Sequence, residues 1–138
     1  MATDALVEMG GKLAKLSEES LRELDSILPK YWFKGNPVDL VGDANIERFV
    51  KATQTCLKDA EVDGLLLIYV PQAMIQPVDL AQASLETLKK ARKPILAAWI
   101  GGAEVEKGKE ILIHTLSSRP IRQITSCRGA FWMVQRSS

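Results

Sequence analysis

Gly64-Leu65-Leu66-Leu67-Ile68-Tyr69-Val70 and Pro94-Ile95-Leu96-Ala97-Ala98-Trp99-Ile100 decide the fold. Each is a short, uninterrupted apolar run, the pattern of a strand buried on both faces of a parallel sheet. Between them Leu80, Ala81, Ser84, Leu85, Leu88 and Ala91 recur at three- and four-residue spacing, which predicts one apolar helix stripe. Strand, helix, strand in this order is the unit of a parallel sheet covered by helices.

Working outward, Ile46, Phe49, Val50, Thr53 and Leu57 predict a helix before the first run, with Asn45 as its N-cap. Beyond the second run, Val105, Gly108, Leu112 and Thr115 sketch a further helix behind the turn Gly101-Gly102. Val38 to Val41 reads as a brief strand among turn residues. Upstream, Ser17 caps a helix from Glu18 to about Leu28, with acidic residues in its first turn to complement the dipole. Lys12 to Leu16 alternates like an edge strand, and Ala2 to Met9 reads as a helix stopped by Gly10-Gly11. The expected fold is a three-layer, doubly wound parallel sheet with strands at 12–16, 38–41, 64–70 and 94–100, and a last one at 119–125. In such a fold the opening helix follows a central strand. Here none precedes Ala2, so the expectation is a sheet lacking its first strand.

The composition is that of one globular domain: 138 residues, 46% hydrophobic and 25% charged. Eighteen Lys and Arg against seventeen Asp and Glu leave a net charge of +1 with the signs interspersed, which disfavours a nucleic-acid binder. No apolar run approaches the roughly 20 residues of a membrane span, and Asp4 and Glu8 interrupt any signal-peptide pattern. Cys56 and Cys127 form neither a disulfide framework nor a metal-binding pair, and the expected compartment is a reducing cytoplasm.

Single motifs offer little chemistry. His114, the only histidine, falls near a helix end, where its partial charge offsets the helix dipole. No phosphate-loop, dinucleotide, nucleophile-elbow or zinc-protease pattern occurs. Catalytic and metal-ligating residues are therefore expected to be absent. Three loops do follow strands and precede helices, where parallel sheets bind ligands: Gly42-Asp43, Pro71-Gln72 and Gly101-Gly102. With Asn36 they make the candidate binding set, although Asp39 and Asp43 would repel a phosphate unless a metal ion or Lys lay between them. Tyr31-Trp32-Phe33 could pack onto the core or face a partner.

Gly35-Asn36-Pro37-Val38-Asp39-Leu40 with Gly42-Asp43-Ala44 is similar to a signature of the NDP-forming acyl-CoA synthetases. These include ADP-forming acetate–CoA ligases and the acyl-CoA-synthetase-like part of protein lysine acetyltransferases. Three more blocks agree in order: Gly11-Lys12-Leu13-Ala14, then Glu61-Val62-Asp63-Gly64 with Pro71-Gln72-Ala73-Met74, then Lys93-Pro94-Ile95-Leu96-Ala97 with Trp99 and Gly101-Gly102. The resemblance covers residues 2–114.

The resemblance implies a succinyl-CoA-synthetase-like, flavodoxin-like subdomain of a longer ligase that joins a carboxylic acid to CoA through an acyl phosphate and a phosphohistidine. It implies CoA and ATP with magnesium for that parent, and a CoA-binding domain and an ATP-grasp part as partners. His114 does not match the catalytic histidine's surroundings. The expectation is that residues 1–138 form one subdomain, inactive alone, with any small ligand held at the loop set named above. The stretch 116–128, without the family's Thr-Pro-Glu, diverges, and the pattern resumes at Ala130-Phe131-Trp132. Pairing with another copy or with a partner domain would close the gap of a missing strand. The competing reading is a free-standing flavodoxin-like binding or regulatory module.

Overall fold

The computed structural model describes residues 4, 7–8, 10–41, 43–71, 75–117 and 130–134. Their elements run α1 (Glu18–Ile27), β1 (Val38–Asp39), α2 (Ile46–Lys58), β2 (Gly64–Tyr69), α3 (Pro77–Lys90), β3 (Ile95–Trp99), a 3-10 turn (Gly102–Val105), α4 (Glu106–Ser117) and β4 (Ala130–Val134). The four strands form one sheet in the order β1-β4-β2-β3, every neighbouring pair parallel. The two apolar runs pair with each other, Leu65 beside Ile95 through Tyr69 beside Trp99. The ladder is closed at its ends by Leu65 N–H on the Pro94 carbonyl and Ile100 N–H on the Tyr69 carbonyl.

Helix α2 packs on α3 and α3 on α4, so these three share one face of the sheet. Side chains alternate along a strand, and Leu67 and Tyr69 with Trp99 point to that helical face. There they meet Phe49, Leu80 and Leu88 in the core. The opposite face of β3 carries Leu96 and Ile100, which are 65% and 56% exposed. Both expected helix caps form: Ser17 Oγ accepts from Ser20 N–H at 3.2 Å, and Asn45 Oδ1 from Arg48 N–H at 2.8 Å. Gly10 adopts φ 81°, the left-handed conformation expected after a helix; of that helix only Asp4, Val7 and Glu8 are described, and they are helical.

Two strand expectations change. Residues 12–16 contribute only an isolated bridge residue, Leu13. Ala14 and Leu16 are buried as the alternation requires, but side chains take the place of a ladder here. The Ala14 carbonyl accepts from Asn36 Nδ2, and Ser17 N–H donates to the Asp59 carboxylate. β1 stops at Asp39 because Val41 turns to φ 63° and gives its N–H to Asp39 Oδ1. The expected strand at 119–125 lies outside the described residues. The fourth strand among the described residues is Ala130–Val134, placed between β1 and β2 with Val38 beside Met133 and Leu65 beside Phe131. In flavodoxin order, 2-1-3-4-5, β1, β2 and β3 are strands 2, 3 and 4. β4 therefore stands where the first strand belongs.

Candidate functional site

The carboxyl ends of β1, β2 and β3 carry the candidate loops. After β1 the backbone folds into a tight turn in which Ala44 N–H reaches the Val41 carbonyl at 3.0 Å. A β-branched residue at positive φ is strained, by about 1–2 kcal/mol, and the Asp39 carboxylate on the Val41 N–H helps to hold it there. Asp43 Oδ1 accepts from Arg48 Nη1 at 2.8 Å, an ion pair that closes this loop over the first turn of α2. Arg48, which the sequence does not single out, is the cation that neutralises Asp43. Its spacing of five from Asp43, just inside a capped helix, is the available signal.

After β2 and β3 the two loops meet. A Cβ built on Gly101 would lie 2.4 Å from Pro71 Cγ and 2.9 Å from Val105 Cγ1, so only glycine allows this approach. Gly102, at φ 59°, makes the turn into the 3-10 segment. Beneath them Tyr69 donates its hydroxyl to the Ile75 carbonyl at 2.8 Å and so ties down the far side of the β2 loop. Trp99 lies tilted against Tyr69, ring centroids 5.0 Å apart, and meets the Phe49 ring edge-on at 6.4 Å. Its Nε1–H is buried and has no hydrogen-bond partner among the described residues, an uncommon state for a buried donor.

The structure therefore brings Pro71, Gly101 and Gly102 together, while Asp43 lies at the same end of the sheet but beyond β4, in the loop after β1. Gly42 and Gln72 lie outside the described residues. Asn36 is not part of the cluster. It precedes β1 rather than following it, at the amino end of the sheet, and its amide donates to the Ala14 carbonyl. Of the aromatic triplet, Trp32 folds onto the core and donates Nε1–H to Asp25 at 2.7 Å, while Tyr31 and Phe33 are exposed.

The amino end of the sheet is fastened by Asp59, the C-cap residue of α2. Its carboxylate accepts from Ser17 N–H and Oγ and from Glu61 N–H. Burial alone would raise its pKa, but these donors outweigh that and hold it below the usual aspartate value. The Lys93 ammonium donates to the Asp59 carbonyl, and partial burial lowers its pKa despite the neighbouring carboxylates. Burial pushes the Cys56 thiol far up, which makes it an inert core side chain. His114 occupies the last turn of α4, as expected. Among the described residues, no group of three or more His, Cys, Asp or Glu could hold a metal ion, and no helix is long and apolar enough to cross a membrane.

Residues 1–123 match the family model of the ligase-CoA domain. The chain is 34% identical over 116 residues to the alpha subunit of ADP-forming acetate–CoA ligase II of Pyrococcus furiosus, covering 81% of this chain and 25% of that protein. It is 32% identical over 113 residues to the ADP-forming 4-hydroxybutyrate–CoA ligase of Nitrosopumilus maritimus, covering 81% of this chain and 16% of that one. Among solved structures, the dinucleotide-forming acetyl-coenzyme A synthetase 1 of Ca. Korarchaeum cryptofilum, in complex with phosphate and ADP, superposes with a TM-score of 0.73 at 27% identity. That match covers 82% of this chain and 25% of the other. A Pyrococcus horikoshii protein gives a TM-score of 0.74 at 34% identity, over 81% of this chain and 27% of its own. The chain thus spans a quarter or less of these two curated relatives.

Proposed function

Because the chain belongs to the ligase-CoA domain family, we propose that it serves as the flavodoxin-like subdomain of an NDP-forming acyl-CoA synthetase. The parent enzyme ligates a carboxylic acid, acetate or another short acid, to CoA while ATP is converted to ADP and phosphate. One observation carries this reading. The family match runs through residues 1–123, almost the whole fold, yet the same stretch is a quarter or less of the ligases it resembles.

The proposed role of this piece is structural and interdomain. Its partners are the remaining parts of the ligase, a CoA-binding domain and an ATP-grasp part, in the cytoplasm. CoA and ATP with magnesium supply the thiol and the phosphoryl group of the parent reaction. The loop after β1 does not suit a phosphate. Asp39 and Asp43 put two carboxylates at the end of β1, and the Arg48 guanidinium is already engaged by Asp43. The first turn of α2 is capped by Asn45. What the loop cluster does present is a fixed edge: Pro71 against Gly101, Gly102 beside it, and Asp43 held by Arg48. Such an edge suits contact with a neighbouring domain at the carboxyl end of the sheet.

The test is replacement of the corresponding segment of the Pyrococcus furiosus alpha subunit by residues 1–123. The chimera, assembled with the rest of its ligase, is expected to form acetyl-CoA from acetate, ATP and CoA, and the isolated chain to form none. Thioester formation by the isolated chain would refute the non-catalytic role. A folded, assembled chimera without activity would refute the ligase role.

A further inference from the structure

We propose that the slot between β1 and β2 is a strand-exchange site, and that its second occupant is β4 of another copy of this chain. The inference goes beyond the ligase reading and does not depend on it. It starts from handedness. The β1–α2–β2 and β2–α3–β3 crossovers both step the same way across the sheet, with their helices on the same face. Helix α4 lies on that face too, packed so tightly on α3 that a Cβ on Gly108 would meet the Pro77 carbonyl oxygen at 2.7 Å. From β3, however, the chain steps back past β2 to place β4. A reversed step with the helix on the same face has the opposite hand. Parallel crossovers are right-handed in about 98% of cases, so β4 reaches its slot by a disfavoured route.

The slot itself cannot stay empty without loss. The facing edges of β1 and β2 would expose unpaired N–H and C=O groups in the middle of a parallel sheet. β4 satisfies β2 along the register from Gly64 beside Ala130 to Ile68 beside Val134, and β1 at Val38 and Asp39. A second copy's β4 would make the same pairs in the same register. It would not have to return to the sheet its own α4 covers, so the unfavourable hand is removed while every ladder bond is kept. Exchange of an identical element between protomers is a low-cost route to a dimer. A tethered strand competes at an effective concentration on the order of millimolar, and the opposite hand lowers that advantage. Dimer should therefore accumulate as the protein approaches millimolar concentration.

The experiment uses the full chain with Cys56→Ala and Cys127→Ser. One preparation carries Val38→Cys and the other Met133→Cys, which replace register partners on adjacent strands. Strands about 4.8 Å apart lie within disulfide reach. After refolding together near millimolar concentration and oxidation, a covalent dimer of the two variants is expected. Sedimentation of the unsubstituted chain should show dimer rising with concentration. If the cysteine variants do not fold, differently isotope-labelled unsubstituted copies are mixed, and intermolecular contacts between the Val38 and Met133 amides are expected. A monomer at every concentration overturns the proposal. So does a dimer in which the 38–133 link or contact forms only within one chain, or not at all.

Discussion

Gly101 lies so close to Pro71 that an added Cβ would sit 2.4 Å from the proline Cγ. A proline ring cannot swing aside as a flexible chain end can, and Val105 closes the other side at 2.9 Å. Gly101→Ala should therefore destabilise by overpacking, about 1–3 kcal/mol. Gly102→Ala meets open space and loses only through its left-handed φ of 59°, about 1 kcal/mol. Urea unfolding of the two variants gives the order. Equal losses would show that the β2 and β3 loops are not in contact.

At Gly108 two effects oppose each other. Helix propensity favours alanine over glycine by about 1 kcal/mol in a helix interior. The Pro77 carbonyl oxygen, 2.7 Å from where the alanine methyl would sit, forbids it unless α3 and α4 separate. Backbone does not yield like a side chain, so packing wins. Gly108→Ala should lower the melting temperature, and a rise would show that α4 rides free of α3.

Asp59 gives a pH signature. Its folded pKa is held below the ordinary aspartate value of 3.8, so the ionised form is favoured by folding. The sign follows: its contribution is complete above the unfolded pKa and is lost as pH falls through the lower folded one. Asp59→Ala should cost about 2–3 kcal/mol at neutral pH, where Ser17 and Glu61 lose a charged acceptor. The gap between the original chain and Asp59→Asn should narrow only below about pH 4. A gap independent of pH down to acid unfolding would argue against this carboxylate as the fastener.

Tyr69→Phe removes one buried hydroxyl and takes that donor from the Ile75 carbonyl. A loss of about 1–2 kcal/mol is expected, with faster amide exchange around Ile75. Unchanged stability and exchange would show that the β2 loop is held by other contacts.

The parallel core is legible because burial on both faces leaves continuous apolar runs, and because Asn45 and Ser17 cap their helices through local bonds. Lys12 to Leu16 misleads because alternation reports which side chains are buried, not what the backbone bonds to. The Asp59 carboxylate and the Asn36 amide, distant in sequence, fill that role. Asn36 falls in with the strand-end loops on sequence because it neighbours the β1 segment, although it lies on the entering side. Arg48 is hidden because its pairing with Asp43 depends on how the β1 loop folds back, which the left-handed Val41 sets. The position of β4 is beyond local reading altogether: strand order in a sheet leaves no trace in the period of any one strand.

The placement of β4 also bears on how the gene could be rewritten. A circular permutant that puts the codons for Ala130–Val134 ahead of the codon for residue 2 would supply the slot between β1 and β2 from the opposite direction along the chain. The sheet would keep its order and its register, while α4 became the carboxyl-terminal element with no strand left to deliver. In this molecule the strand synthesised last among those described stands inside the sheet, so the order of synthesis and the order in space differ.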